Sequence, residues 1–568
     1  MPGGDRFSSI HYPADVSTLG RINDPFSTTR SVIILAVLSI LCFLPALLHP
    51  PVPTGDLTHH LQITSAYQTA FADGTFLPDF AVHENSGYGS VTVRFYPPLM
   101  HITIALIRSL VVRSDVAIFL AFSFWSFIGA WGAFLLAREL FGSGYAPLVA
   151  GVLLTISPYH LNQFYNSFMW GEFVSLSVLP FVFLFLLRVC KFGGFANITG
   201  LATALAAIIL SNIPQAVISV PCLSIFALFC LDRGRIVKQV ASMLAAISIA
   251  GLGTAFYWVR VATEMKWIQI SLSNFDPAYD YRNHFLFNSL DYDVQGAWFG
   301  SVILLLTLSG VAAALISSGG FNALIRDRMI FGITAVLVFS AVMTLPVSKV
   351  GWDNLELLQR IQFPWRFLSP LSLMSALLIA LAVADIGKLL PKTKRSCALV
   401  ITGTLLIFTT FSLKQVILSS DSMDPSTFNR VAEASVSAQG LPHWWPVSAG
   451  RDTFSIGDLV HAGGRSHEFQ FQSPTSLNIS VSPGTAATVR ISKLYYPLWQ
   501  VSVNGQPAET RDLDGALAFN IGPEASHCQV MFEEPWYSVG SRYLSGITAL
   551  VIFSLLVFCR IRRSHSYE

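Results

Sequence analysis

The sequence predicts a polytopic α-helical membrane protein with a β-rich domain near its C-terminus. The 568-residue chain is 53% hydrophobic and only 12% charged, whereas a typical soluble domain carries about 25% charged residues. Apolar stretches long enough to cross a bilayer recur through residues 31–413 and once more near 541–559. Between these regions, residues 414–540 are polar and contain short runs of alternating polar and apolar residues, a pattern typical of β-strands.

About twelve apolar stretches are predicted to span the membrane. They lie near 31–49, 115–138, 145–158, 172–188, 196–211, 214–231, 237–258, 295–317, 329–346, 367–385, 397–413 and 541–559. Residues 98–112 are apolar but short for a span, and we interpret them as a helix along the membrane surface. With that interpretation, the loops between spans that are rich in Lys and Arg all lie on one side of the membrane, which we expect to be the cytoplasmic side. The first loop, the loops near 159–171, 259–294 and 347–366, and the β-rich domain then share the other side.

These patterns divide the chain into four regions. Residues 1–30 are predicted to be a cytoplasmic tail, and residues 31–413 a transmembrane domain with a long first external loop at 50–114. Residues 414–540 are predicted to be an extracytoplasmic domain, and 541–568 a final transmembrane helix with a basic cytoplasmic tail. We therefore expect a multi-pass protein of the cell membrane whose active side faces away from the cytoplasm.

The β-rich domain is predicted to be a small β-sandwich. Alternating runs occur at 467–472, 477–481, 488–491 and 499–503, and Asn504-Gly505 follows the last of them. Alternation with an Asn-Gly turn indicates strands joined by hairpins.

Charge and cysteine usage exclude some classes of function. The net charge of +2 comes without a basic block, so no nucleic-acid partner is expected. Of the seven cysteines, all but Cys528 lie in or beside apolar segments. We therefore expect neither a disulfide framework nor a cysteine metal cluster.

The first external loop is where we expect the chemistry, because it is rich in titratable side chains. Asp56 begins a segment with helical periodicity that ends at Gly74. Two interpretations of Asp56 remain: a helix N-cap alone, or a cap that is also catalytic. Burial near a membrane face would raise the pKa of its carboxyl and suit it to proton transfer.

His59 and His60 follow on the same predicted helix. Adjacent helical side chains point in different directions, so at most one of them faces Asp56. A metal site would need further ligands that this spacing does not supply, and we predict that the pair forms hydrogen bonds or orients a substrate. Arg94 and Tyr96, later in the loop, are further candidate substrate-binding residues.

Glu172 lies where the second external loop enters a predicted span. An ionisable group at this depth is costly, which favours a functional role; the alternative is an interfacial anchor or a partner of the helix dipole. Trp170 fits either the aromatic belt at the membrane interface or a stacking surface, and we count it as a candidate substrate-binding residue.

Arg360 and Arg366 end the loop near 347–366. Arginine can bind a phosphate through two N–H groups at once. A position outside the cytoplasm runs against the positive-inside trend, which favours binding of an anion; the alternative is snorkelling to the interface. The loop near 259–294 is also charged, with Glu264 among its residues, and an ordinary solvated loop is the default interpretation there.

The order of these elements resembles the GT-C membrane glycosyltransferases. The shared features are a first span, an acidic residue early in a long external loop, surface helices, a Pro-Pro segment and many further spans. The segment Phe95-Tyr-Pro-Pro-Leu99 is similar to the Pro-Pro-Leu element that follows the catalytic loop in that superfamily.

Further motifs resemble bacterial membrane proteins described as 6-pyruvoyl-tetrahydropterin synthase-related, and YfhO-like membrane proteins. These motifs are Gly87-Tyr-Gly with Phe95-Tyr-Pro-Pro-Leu99, Tyr165 to Glu172, Gln362-Phe-Pro-Trp-Arg366-Phe, and Tyr495-Tyr-Pro-Leu-Trp499 with Asn504-Gly505. Leu498 stands where that last pattern usually has glycine. No residue pattern in the chain indicates pterin chemistry.

The resemblance implies inverting transfer of a sugar from a polyprenyl-phosphate-linked donor to an extracytoplasmic glycan, lipid or protein acceptor. Asp56 then matches the general base, and Glu172 the second-loop acid that helps some members bind acceptor or metal. Arg366, with Arg360, would neutralise the donor phosphate. Because Gly55 precedes Asp56, the loop lacks a paired acidic motif; a divalent metal is not indicated, and metal dependence stays open.

Two other classes of function compete with this interpretation. A transporter or flippase for a lipid-linked glycan would need ionisable residues within the spans, whose middles are nearly free of charge. A non-catalytic scaffold of the cell envelope would use the β-rich domain to bind a glycan or another protein, and would tolerate Asp56→Asn.

Overall fold

The computed structural model of the chain describes residues 28–142, 144–270, 279–287, 327–385, 421–455 and 457–564, together with the single residues 304, 308, 312 and 410. The predicted spans 295–317 and 397–413 lie outside the described residues except at those four positions. Most of the predicted tail at 1–30 and parts of the loop at 259–294 also lie outside them.

Helices make up most of the described chain before residue 390. They are α1 (Thr28–Leu48), α2 (Asp56–Ala72), α3 (Thr92–Phe95), α4 (Leu99–Arg108), α5 (Ser114–Phe141), α6 (Tyr145–Thr155), α7 (Pro158–Tyr165), α8 (Trp170–Lys191), α9 (Phe195–Ser211), α10 (Ile213–Cys230), α11 (Ile236–Gly253), α12 (Ala255–Glu264), α13 (Arg328–Met343), α14 (Lys349–Asn354), α15 (Glu356–Gln359) and α16 (Leu368–Asp385). Two more follow, α17 (Pro425–Ser435) and α18 (Trp536–Ser564).

Seven helical segments among the described residues are long and apolar enough to cross a membrane. They are α1, α5, α8, α10, α11, Pro364–Leu381 and Trp536–Phe558. An eighth crossing would come from α13 and the segment Pro346–Asn354, which meet at a bend of 87°. The predicted spans at 145–158 and 196–211 form α6 and α9, which have 11 and 17 residues. The chain is therefore helical with several candidate spans, as the hydropathy predicts.

Burial separates the centre of the helical part from its periphery. In α8 and in Pro364–Leu381, 83% of the spanning window is buried against other parts of the protein, compared with 11% in Trp536–Phe558. The central helices carry Glu172 and Arg366 at their first turns. These two side chains therefore start from the most enclosed part of the helical region.

The first loop contains a short helix, α4, where the sequence predicts a helix along the membrane surface. Helix α4 has 10 residues and is about 15 Å long, half of the roughly 30 Å hydrocarbon thickness that a span must cross. Helix α2 packs against both α4 and α17. The prediction of a helix from Asp56 to about residue 73 is confirmed, since α2 ends at Ala72 and Gly74 follows with a φ of 75°.

Two antiparallel sheets form the C-terminal region. The strands are β1 (Val460–His461), β2 (His467–Ser473), β3 (Ser476–Val481), β4 (Ala487–Leu494), β5 (Trp499–Val503), β6 (Gln506–Ala508), β7 (Arg511–Leu513), β8 (Ala516–Ile521) and β9 (Ser526–Phe532). Their order is β1-β4-β8-β7 in one sheet and β2-β3-β9-β5-β6 in the other. The four predicted strand runs are confirmed. Asn504 and Gly505 have φ values of 51° and 77° and join β5 to β6, as an Asn-Gly hairpin turn requires.

The apolar core of the sheets extends into the first loop. Phe519 and Val530, one from each sheet, belong to the same buried cluster as Phe80, Val91 and Phe95. The backbone also joins the two regions, because the Leu494 N–H donates to the carbonyl of Tyr88 at 2.9 Å. The β-rich region is thus packed directly against the loop that carries Asp56.

Candidate functional site

Asp56 lies in the first turn of α2 and is not the N-cap that both interpretations predict. Gly55 occupies the cap position with φ 50° and ψ −125°, in a region of backbone conformation that is open to glycine. The Asp56 carboxylate makes no hydrogen bond or ion pair with any residue that the structure describes. Its side chain keeps an exposed surface, so the carboxylate is free to meet a ligand.

Asp56, Tyr96 and Arg366 are close enough to influence one another electrostatically. Protein atoms crowd the Asp56 carboxyl despite its exposed surface; this loss of water raises its pKa, and the charge of Arg366 acts in the opposite direction. Burial likewise raises the pKa of the Tyr96 hydroxyl, with a further increase from Asp56 and a decrease from Arg366. A carboxyl group with a raised pKa is better matched to proton transfer near neutral pH.

Arg366 is fixed by the loop before it and by α8. Its Nη1 donates to the Ile361 carbonyl at 2.6 Å, and its Nε lies 3.4 Å from Oε2 of Glu172. The guanidinium lies over the ring of Phe363, 4.8 Å from the centroid. Its Nη2 makes no hydrogen bond to any described residue, which leaves one face of the cation for an incoming anion.

Glu172 is completely buried behind Arg366. The Tyr159 hydroxyl and the Gln215 side-chain amide both donate to its Oε1, the amide at 2.9 Å. Gln215 also donates to the Arg366 carbonyl at 3.1 Å. Through these contacts Glu172 and Gln215 hold Arg366 in place. A fully enclosed carboxylate does not fit the alternative that Glu172 is an interfacial anchor.

His60 stacks on Trp170, with ring centroids 4.5 Å apart and planes 3° from parallel. His60 Nε2 lies 2.7 Å from the Phe168 carbonyl, its Nδ1 lies 3.0 Å from His101 Nε2, and His101 Nδ1 lies 3.3 Å from the Pro97 carbonyl. Burial lowers the pKa of His101 to about 3 and that of His60 well below its usual range. Two neutral rings have two N–H protons for three contacts, so one contact lacks a proton.

His59 lies on the same helix turn but contacts a different aromatic residue. Its ring is nearly parallel to Trp444 at 6.3 Å between centroids, and its Nε2 is buried without a hydrogen bond to a described residue. Both His59 and His60 meet Tyr96, at centroid distances of 5.8 and 5.5 Å. The structure therefore places both histidines beside the tyrosine that neighbours Asp56.

Arg94 and Arg360, which the sequence also proposes for substrate binding, are not brought to this cluster. Arg94 is fully buried and makes two bonds of 2.7 Å to Glu264 and another to Glu534. Arg360 is exposed and pairs with Glu356 one helical turn away, at 2.6 Å. Glu264 is also fully buried, so the default of a solvated loop is wrong at that position.

Sequence reasoning missed three polar residues of the cluster: Tyr159, His101 and Gln215. Gln215 offers the clearest signal, because it is a polar side chain in the first turn of an apolar span. His101 is a titratable residue within an apolar helix. Nothing in the sequence around Tyr159 distinguishes it from an ordinary interfacial aromatic residue.

The acidic residues of the cluster do not form a metal site. Within the part of the chain that the structure describes, no group of three or more His, Cys, Asp or Glu side chains could hold a metal ion. Glu172 is already occupied by Tyr159, Gln215 and Arg366.

Comparison with known protein families identifies residues 93–417 as a 6-pyruvoyl-tetrahydropterin synthase-related domain, described as a membrane protein. This match covers more than half of the chain. The chain belongs to this family. The matched stretch includes Glu172 and Arg366 but neither Asp56 nor the β-strands. No curated protein sequence matches the chain.

Two solved structures of transferases are partially similar to this chain. The arabinofuranosyltransferase AftD from Mycobacteria is 16% identical with a TM-score of 0.45, and the match covers 69% of this chain and 27% of that one. The oligosaccharyltransferase of Archaeoglobus fulgidus is 15% identical with a TM-score of 0.40, covering 72% of this chain and 55% of that one. The chain thus spans about a quarter of the first protein's length and about half of the second's.

Proposed function

We propose that the protein is an inverting membrane glycosyltransferase that uses a polyprenyl-phosphate-linked sugar donor. Its acceptor is a glycan, lipid or protein outside the cytoplasm. In this proposal the chain crosses the cell membrane about twelve times, and the two sheets form a β-sandwich on the active side. The observation that carries the proposal is the Asp56 carboxylate, which makes no hydrogen bond to a described residue and lies within electrostatic range of the Arg366 guanidinium.

Asp56 is the general base in this mechanism. Its carboxylate accepts the proton of the acceptor hydroxyl as that oxygen attacks the anomeric carbon of the donor. The new glycosidic bond forms on the face opposite the breaking bond to the phosphate oxygen, and the polyprenyl phosphate leaves with the electron pair. The raised pKa of Asp56 supports this role, because a stronger base takes the proton more readily.

Arg366 stabilises the leaving phosphate. Negative charge grows on the phosphate as the glycosidic bond breaks, and a fixed cation stabilises that charge more in the transition state than before it. Glu172 and the Ile361 carbonyl hold the guanidinium in place, so little reorganisation is needed. Glu172 is therefore a positioning residue in this mechanism.

His59, His60, Tyr96 and Trp170 form the aromatic wall of the site. Their rings are packed against one another, and burial keeps both imidazoles neutral, with the pKa of His59 lowered to about 4. A rigid, neutral wall suits the orientation of a sugar without competing with Arg366 for the phosphate. We assign these residues to substrate orientation.

The test is Asp56→Asn in the full-length protein in lipid nanodiscs. We expect transfer from polyprenyl-phosphate-linked sugars to a cell-envelope extract to fall by about a hundredfold or more, the usual contribution of a general base. The thermal shift that polyprenyl phosphate produces should remain, since Arg366 is intact. The matched control is Glu509→Gln, which removes an exposed carboxylate just after β6 and should leave transfer unchanged.

The outcome also separates the enzyme from the scaffold. Equal transfer by Asp56→Asn and by the unchanged protein would contradict the assignment of the base. Absence of both transfer and a thermal shift with every carrier lipid would favour the non-catalytic scaffold.

A further inference from the structure

Two neighbouring cavities follow α2 away from the catalytic cluster, and we call them together the α2 groove. One has a volume of about 390 Å³ and lies among α2, α4, α5 and α17; the other has about 240 Å³ and lies between α2 and the segment 73–84. They share four lining residues, Ser65, Thr69, His83 and Val436. The two cavities are therefore adjacent to each other along α2.

The two ends of the groove lie in different parts of the protein. Trp170, which stacks on His60, lines the larger cavity. Ser473 and Thr475, in the turn between β2 and β3, line the smaller one. A ligand in the groove would thus reach from the aromatic wall of the proposed site to the first hairpin of the sheets.

The lining is mixed, with apolar side chains such as Phe80 and Ile104 between polar ones. Hydroxyl and amide groups come from α2 itself, at Gln62, Ser65, Gln68 and Thr69. Asp73, Glu84 and Glu433 line the groove together with one arginine, Arg108, while the Asp79 carboxylate there is paired with Arg260 and Arg542. Carboxylates still outnumber cations among the other lining residues, which disfavours an anionic chain.

Three polar atoms in the lining have no hydrogen-bond partner among the described residues. They are Oγ1 of Thr64, Oε1 of Glu84 and Nε of Arg108. Thr64 and Glu84 are only 6% and 2% exposed. Buried polar atoms are almost always satisfied in folded proteins, so these three atoms are the ones that a ligand hydroxyl reaching into the lining would satisfy.

We propose that the α2 groove binds a neutral, polyhydroxylated glycan chain, which is the acceptor of the transfer reaction. A sugar chain presents hydroxyls that both donate and accept, and this matches a lining with orphan acceptors and an orphan donor. Its growing end would lie at the Trp170 end, next to the cluster that holds Asp56. This assignment of the acceptor rests on the proposed function, whereas the binding of a glycan does not.

The experiment measures binding of the full-length protein in nanodiscs to an array of linear neutral oligosaccharides. Thr64→Val removes an orphan hydroxyl at constant shape. We expect it to weaken glycan binding about fivefold, the usual effect of one hydrogen bond, and to leave the Tm unchanged or higher. Ser65→Trp fills the groove and should weaken binding by about tenfold or more. Its matched control is Ser480→Trp, on the exposed face of β3.

The results distinguish the groove from the reaction. Absence of glycan binding, or equal binding by Ser65→Trp and Ser480→Trp, would overturn the proposal even if Asp56→Asn loses transfer. Glycan binding that Ser65→Trp abolishes supports the groove, even if no variant transfers a sugar and the proposed reaction fails. Stronger binding of anionic than of neutral oligosaccharides would also overturn the proposal, because the lining carries mostly negative charge.

Discussion

A single backbone conformation decides what Asp56 can do. An aspartate just before a helix usually caps it, and one of its carboxylate oxygens then accepts a hydrogen bond from a backbone N–H group of the first turn. Here Gly55 takes the cap position, in a conformation that suits glycine, and Asp56 moves into the first turn. The helix dipole still acts on the carboxylate there, but both oxygens remain free for a proton.

Arg366 and Arg360 provide a matched test at the residue scale. Arg366→Lys keeps the charge but loses the planar fork that holds a phosphate, so the thermal shift produced by polyprenyl phosphate should fall by more than half. Arg360→Lys, whose exposed partner Glu356 accepts either side chain, should leave the shift unchanged. The measurement is a titration of each nanodisc-embedded variant with polyprenyl phosphate. If both variants lose the same fraction of the thermal shift, Arg360 also contributes to phosphate binding.

The segment around Gly87-Tyr-Gly acts as a docking element for the sheets. Tyr88 packs on Phe454 and lies under the guanidinium of Arg490, and Lys493 donates to the Gly87 carbonyl at 2.7 Å. The motif that carries part of the family resemblance therefore has a packing role in the structure. It orients the end of the loop that leads from α2 to Tyr96.

Gly89 and Gly87 offer a prediction at the scale of this element. Both have positive φ, 76° for Gly89 and 92° for Gly87. A Cβ added at Gly89 would lie 2.0 Å from the Phe80 ring, whereas a Cβ added at Gly87 would have no neighbouring atom within 4 Å. Gly87→Ala should cost about 1–2 kcal/mol from backbone strain alone. Gly89→Ala adds overpacking and should cost roughly 2–5 kcal/mol. Guanidinium titration of the purified variants measures the difference, and equal costs would contradict the close contact with Phe80.

At the scale of the whole molecule, a buried ion network joins the first loop, α12 and the start of the last helix. Its members are Arg94, Arg260, Arg542, Asp79, Glu264 and Glu534. Three cations balance three carboxylates, and Tyr496 at the end of β4 donates to Glu264 at 2.8 Å. The network links the β-rich region to the helical region, and its members Arg94, Arg260 and Glu264 are almost completely shielded from water.

Removing one member of this network should weaken the whole molecule. Arg94→Met leaves Glu264 buried with no guanidinium, and we expect a loss of about 3–5 kcal/mol in the free energy of unfolding. Arg94→Met combined with Glu264→Gln should recover part of this loss, because the buried charge is removed. Arg235→Met is the control, since that arginine and its partner Asp232 are 53% and 52% exposed and such pairs contribute about 1 kcal/mol or less.

These variants also decide between two roles for Arg94. A stability of Arg94→Met close to that of the unchanged protein, together with loss of donor binding, would support the substrate-binding role that the sequence suggests. Guanidinium titration and the polyprenyl phosphate titration provide the two readouts.

Much of the local structure could be predicted because its signals lie within a few residues. The helix from Asp56, the short helix at 99–108, and strands such as Trp499–Val503 follow from periodicity and turn residues. The cap at Gly55 was missed because the choice between neighbouring cap positions depends on backbone conformation, which residue type only biases.

The sequence by itself determined the membrane class, the β-rich region and the titratable first loop, because hydropathy and alternation are properties of the chain alone. Only the tertiary structure decided which charges meet. Arg94 bonds to Glu264 and Glu534 across 170 and 440 residues, while Glu172 meets Gln215 and Arg366 from separate helices. Burial of a charge costs hydration free energy unless a partner offsets that cost. The packing of elements that are distant in the sequence decides which residue is the partner.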